Sequence, residues 1–179
     1  MYSKQYEKIR RYGLPVIAMV AVVLVSNILV QYPLNDWLTW GAFSYPFAFL
    51  VTDLSNRQLG SLPTRKVIYF GFVAAVILSV WFAGSRIAIA SGVAFLVGQL
   101  LDIYIFNWLR NATWWRAPLV SSLLASLVDS FLFFCVAFSY SGLPWVTWAL
   151  GDYMVKIAVA IILLIPYAAV LRIVRLKPN

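Results

Sequence analysis

Five ionisable side chains stand where oil-soluble ones are expected. Asp53, Asp102, Asp129, Asp152 and Lys156 all fall in or at the edge of long runs of Leu, Ile, Val, Phe and Ala. A carboxylate at the centre of a membrane helix costs about 2.5 to 3.5 kcal/mol on insertion scales. Asp102 precedes Arg110 by roughly 12 Å of helix at the usual rise, too deep to reach water easily. Asp129 lies about 15 Å or more from either end of its run. Asp129 shares a helical face with Ser122, Ser126 and Phe133, and Asp102 shares one with Phe95, Gln99 and Phe106. Neither has a basic residue in reach on its own helix, so both are expected to line a pocket for substrate or ion. Asp152 and Lys156, at i and i+4, fit an internal ion pair or a substrate contact equally well. Asp53 and Arg57 have the same spacing and read as a structural pair.

Other polar and aromatic groups sit nearby in the pattern. Asn27 and Gln31 lie one turn apart, and Phe43, Ser44, Tyr45 and Thr52 surround Pro46. Rings and carboxylates that converge between helices suit a planar nitrogen heterocycle. Its faces stack on aromatic side chains, and its ring N–H and exocyclic amine donate to an acceptor-only carboxylate. A sugar would use the same residue types and stays open. A metal would need several hard oxygens or His.

Composition explains why these acids are out of place. Of 179 residues, 63% are hydrophobic and 11% charged, against roughly half and a quarter in an ordinary soluble domain. One compact membrane bundle over residues 1–179 is therefore expected. There is no His, so His-based catalysis and His metal sites are excluded. No GxxxxGK[ST] loop is present either, which excludes ATP hydrolysis by that route. No cofactor and no enzymatic role are expected, because no nucleophile–base spacing appears. Cys135, the one cysteine, reads as an inert packed thiol.

Six all-α spans should position the acids: about 13–31, 41–56, 67–83, 87–109, 118–140 and 145–171, with Pro46 interrupting the second and Pro166 kinking the sixth. The formal charge is +8. Lys4, Lys8, Arg10, Arg11, Arg57, Arg65, Lys66, Arg110, Arg116, Arg172, Arg175 and Lys177 fall on one side of these spans, and only Arg86 on the other. This placement reads as topology and anionic-lipid contact, not nucleic-acid binding, and puts both termini in the cytoplasm. Trp37, Trp40, Trp145 and Trp148 fit an outer interfacial belt, and Trp108, Trp114 and Trp115 an inner one. Small residues line single faces: Gly71, Ala75, Ser79 and Ala83; Ala90, Ala94 and Gly98; Ser122, Ser126 and Ser130. They read as close packing inside one bundle, with a homodimer seam as the alternative.

Four blocks, in order, carry a resemblance: "WGAFSYPFAFLVTDLSNRQLG" at 40–60, "GQLLDIYIFNWLR" at 98–110, "WWRAPLVSSLLASLVDSFLFF" at 114–134 and "DYMVKIAVAIILLIPY" at 152–167. Together they resemble the queuosine precursor transporter family. The link at Gly84 to Arg86 is shorter than is typical of that family. The resemblance implies a six-helix inner-membrane protein, distantly like the substrate-binding subunits of energy-coupling-factor vitamin transporters. It implies uptake of 7-cyano-7-deazaguanine, 7-aminomethyl-7-deazaguanine or both. A stand-alone carrier is expected, since the ATP motif is missing, and the alternative is a substrate-binding subunit of a vitamin- or purine-type importer that needs a separate ATPase module. The residues expected to contact substrate are Asn27, Phe43, Asp53, Gln99, Asp102, Asp129, Asp152 and Lys156.

Overall fold

A computed structural model describes the backbone of residues 2–173 and the side chains from Tyr12 onward. The side chains of Lys4, Lys8, Arg10 and Arg11, and all of Arg175 and Lys177, lie outside the described residues. The described chain is helical: α1 (Tyr2–Leu29), α2 (Gly41–Ser44), α3 (Pro46–Leu59), α4 (Ser61–Ala83), α5 (Ser85–Leu109), α6 (Arg116–Phe138) and α7 (Trp145–Ile173). Five of these, α1 from Tyr12, α4, α5, α6 and α7, are long and apolar enough to cross a membrane.

The second expected span is interrupted at Pro46, as expected. Pro46 has no N–H to donate, and the chain breaks at Tyr45 into α2 and α3. With 14 residues, α3 is only about 21 Å long, short of the roughly 30 Å hydrocarbon core. A break at this depth needs cover by protein, because lipid offers no hydrogen bonds. Cover is supplied: α3 packs against α1, α4, α5, α6 and α7, burying Ala48, Phe49, Thr52, Asp53, Ser55 and Asn56. It is the inner helix of the bundle.

The small-residue faces are buried inside the bundle. A Cβ on Gly71 would come within 2.9 Å of the Met19 side chain, which fixes the approach of α1 and α4. A Cβ on Gly98 would meet Asp129 Cβ at 3.0 Å, so the α5–α6 contact runs directly over an acid. Cys135 departs from expectation. It is exposed on α6, because the buried stripe through Ser126, Asp129, Ser130, Phe134 and Ala137 leaves its position facing outward. Trp148 also departs: it is buried, and its indole N–H donates to the Asn35 carbonyl at 3.1 Å. The helix α7 continues unbroken through Pro166.

The two ends of the bundle differ. At the end formed by the α3–α4 and α5–α6 connections, Arg110 donates to the carbonyls of Asn56 (3.0 Å) and Arg57 (3.1 Å), while Arg57 donates to the carbonyl of Arg110 (3.1 Å). Each arginine thus serves carbonyls at the other helix's C-terminus, where positive charge is favoured. At the opposite end, the turn at 30–40 is tied to α7 through Thr147 Oγ1 to the Asp36 carbonyl, 2.7 Å.

Candidate substrate site between two clefts

The middle of the bundle holds a charge cluster built from α6, α7 and the break before α3. Lys156 Nζ lies 2.8 Å from Asp129 Oδ2 on α6 and 2.6 Å from Asp152 Oδ2 one turn earlier on α7. The same ammonium donates to Ser130 Oγ at 2.9 Å, and Ser130 Oγ donates to Asp152 Oδ2 at 2.6 Å. Tyr45 OH donates to Asp129 Oδ1 at 2.9 Å, and the Tyr45 ring lies 4.6 Å from Lys156 Nζ. All five groups are buried or nearly so. Helical phase explains the convergence. Asp152 and Lys156 share a face of α7, and Asp129 and Ser130 turn from α6 toward it. Tyr45, just before Pro46, keeps helical backbone angles, and its place on the inner face turns its ring to the cluster.

Two narrow clefts meet at Lys156. The first, toward the arginine-capped end, has about 370 Å³ of empty space and is lined by Phe49, Asp53, Ser122, Ser126, Lys156 and Tyr167, among others. The second, toward the opposite end, has about 330 Å³ and is lined by Asn27, Tyr45, Asp129, Phe134, Asp152 and Lys156, among others. Lys156 is therefore the residue common to both, with its two acids on the side of the second cleft.

The expected site residues are distributed as follows. Asp129, Asp152 and Lys156 come together, with Asn27 in the second cleft, where its Nδ2 donates to Ser79 Oγ at 2.7 Å. Asp129 is thus not unpaired: its partner is on the neighbouring helix, which sequence spacing does not reveal. Asp53 lines the first cleft and accepts from Ser122 (3.2 Å) and Ser121 (3.5 Å), while Arg57 serves the Arg110 carbonyl. Asp102 is fully buried beside Asp53 and Ser121, with no donor within 3.5 Å of either oxygen. Gln99 Oε1 accepts from Thr52, and its Nε2 has no partner. Neither Asp102 nor Gln99 is among the residues lining the two clefts. Phe43 lies elsewhere: it is 43% exposed and flanks an apolar groove on the outer side of α1, packed on Trp40. The ring that reaches the cluster is Tyr45, two residues on, which the sequence grouped with Phe43 without choosing it. Ser130, one of the small residues lining α6, joins the cluster because it adjoins Asp129. Tyr167, a buried hydroxyl on the first cleft, gave no sequence signal beyond its type.

Membrane-length helices packed around buried charges between two clefts fit a membrane transport protein. The family described as "Putative vitamin uptake transporter" matches residues 39–85 and 80–170. A protein of Escherichia coli (strain K12) named queuosine precursor transporter is 37% identical over 185 residues, covering 87% of this chain and 84% of its own length. A probable queuosine precursor transporter of Haemophilus influenzae is likewise 37% identical, with the same coverage, and one of Bacillus subtilis (strain 168) is 28% identical over 73% of this chain and 69% of its own. No solved structure matches the chain. The chain belongs to the queuosine precursor transporter family, within the putative vitamin uptake transporters. It is a multi-pass membrane transporter and not an enzyme.

Proposed function

We propose that the protein imports 7-deazaguanine bases, 7-cyano-7-deazaguanine, 7-aminomethyl-7-deazaguanine or both, across the inner membrane as a stand-alone carrier, with both termini in the cytoplasm. The observation that carries this reading is the position of Asp129, clamped on the second cleft by Tyr45 and by Lys156, the lysine that lines both clefts. A guanine-like edge presents two adjacent donors, the ring N–H and the exocyclic amine, which match one carboxylate in bidentate fashion. The base takes Asp129 in place of Lys156. The released ammonium then stays with Asp152 and Ser130, its other two partners. The Tyr45 ring and Phe134 offer faces for the heterocycle, and Asn27 a polar edge. Both clefts are narrow, so binding requires this exchange of partners and some parting of the helices. Coupling the lysine that lines both clefts to the guest is how one site comes to face two sides in turn.

The test is uptake of labelled 7-cyano-7-deazaguanine by cells that neither make the base nor carry another importer for it. Expression of this chain alone should confer uptake, and Asp129→Asn should abolish it at equal membrane abundance. Uptake that also requires an energy-coupling ATPase module would assign the chain as a binding subunit instead. No uptake in either setting overturns the substrate reading.

A further inference from the structure

Among the described residues, the four buried acids fall into two pairs with opposite provision. Asp129 and Asp152, between α6 and α7, share a built-in cation, Lys156. Asp53 on α3 and Asp102 on α5 face one another in electrostatic contact, and the ion pairs within 4 Å between described residues are those of Lys156. Asp53 is supported by the hydroxyls of Ser121 and Ser122. Asp102, with no exposed surface, has no donor within 3.5 Å of either oxygen, and Ser121 and Asp53 are its polar neighbours. A second observation points to the same place from another helix. The Tyr167 hydroxyl of α7 is buried without a hydrogen-bond partner, lines the same cleft as Asp53, and feels Asp53 most, then Arg57 and Arg110, and Asp102 least. Buried polar groups left without partners are rare, and two facing carboxyls in a low-dielectric interior demand positive charge between them.

We infer that Asp53 and Asp102, with Ser121, Ser122 and Tyr167 around them, bind a monovalent cation, a proton or a sodium ion, that moves with the transported base. The inference rests on the carrier reading above. Either ion uses the same chemistry: positive charge placed on carboxyl oxygens, with hydroxyl oxygens completing the shell. The surroundings contribute charge from several elements. Arg57 of α3 and Arg110 after α5 lie toward the helix ends and spend hydrogen bonds on backbone carbonyls. Lys156 of α7 lines the far side of the cleft but holds Asp129 and Asp152. On α4, Arg65, Lys66 and Tyr69 are exposed, as are Arg116 of α6 and Arg172 of α7, and the described part of α1 offers only half-buried Tyr12. The site opens on the cleft next to Lys156. A guest that draws Lys156 toward Asp152 thus alters the field at Asp53, which ties ion and base together.

Purified protein reconstituted into vesicles separates the alternatives. Vesicles loaded with unlabelled 7-cyano-7-deazaguanine first report counterflow of labelled base, which tests the carrier reading itself. Vesicles without internal base are then given an acid-outside pH step or an inward sodium gradient. One of the two should drive accumulation, up to about tenfold per pH unit or decade of sodium for one ion per base. The Asp102→Asn and Asp53→Asn proteins, reconstituted folded and in amounts equal to the wild type, should lose that accumulation. If the wild-type protein shows counterflow but accumulates in neither gradient, the ion site is refuted while the carrier stands. Gradient-driven accumulation that survives in both variants also refutes it. Absence of counterflow in the wild-type protein overturns the carrier reading and the ion site with it.

Discussion

Lys156 Nζ stands 2.8 Å from Asp129 and 2.6 Å from Asp152, so one ammonium from α7 binds its own helix and the neighbouring one in the same stroke. The attachment is buried, a structural bolt whose lysine lines both clefts.

As a bolt, it should be felt when removed. Lys156→Met leaves Asp129 and Asp152 buried without their cation, and breaking such a pair from one side costs about 3 to 5 kcal/mol. Thermal unfolding of the detergent-purified protein should show a large drop. The double variant Lys156→Met/Asp129→Asn should regain part of it, since one stranded charge goes with the lysine. Equal stability of the single variant and the wild type would remove the ion cluster from the stabilising contacts.

Tyr45 touches the cluster in two ways, through its hydroxyl to Asp129 and through its ring to Lys156. Tyr45→Phe deletes the first and keeps the second. A hydrogen bond to a charged group contributes about 1.5 to 3 kcal/mol, and a desolvated cation–π contact about 2. Thermal unfolding should therefore rank wild type above Tyr45→Phe, and Tyr45→Phe above Tyr45→Leu. Phe and Leu variants of equal stability would leave the ring contact without weight.

How much of this was readable beforehand depends on the distance between partners. The i, i+4 pair of Asp152 and Lys156 was legible, because helical spacing alone brings the two together. So was the burial of Asp129 and Asp102, since each sits deep in an apolar run. The pairing of Asp129 with Lys156 was not, for it spans two helices whose rotation only packing sets. The same holds for Asp53, which passes over its i+4 arginine for serines of α6. Pro46 announced an interruption, but not that Tyr45 rather than Phe43 would turn inward at it. The exposure of Cys135 follows from helical phase as well, which an all-apolar helix conceals.

Gly151 offers a test of the fold near the site. A Cβ there would overlap the Trp37 carbonyl, backbone that cannot swing aside like a side chain. Gly151→Ala should push the 30–40 turn off α7 one residue before Asp152 and destabilise the protein by about 1 to 3 kcal/mol, the usual range for overpacking. Melting temperature reads this directly. An unchanged value would mean that the turn is not seated on α7.

The arginine clasp at the end of α3 and α5 should limit entry to the first cleft. In a Cys135→Ser background, Ser122→Cys places a thiol on that cleft, and Arg110→Ala removes the bonds to the Asn56 and Arg57 carbonyls. A membrane-impermeant maleimide should label Ser122→Cys severalfold faster once Arg110 is gone, and in inside-out rather than right-side-out vesicles. Faster labelling from the outer face would invert the orientation proposed for the bundle.

The most direct measurement is a thermal-shift titration of purified wild-type and Asp129→Asn protein with 7-cyano-7-deazaguanine, using adenine as the control base. A ligand held only by the folded state adds about 2.7 kcal/mol at a hundred times its dissociation constant. The expected result is a concentration-dependent rise in melting temperature for the wild type with the deazaguanine alone, and none for Asp129→Asn. A wild type indifferent to the base, or an Asp129→Asn protein stabilised as much, would contradict a substrate site at the Asp129–Lys156 pair.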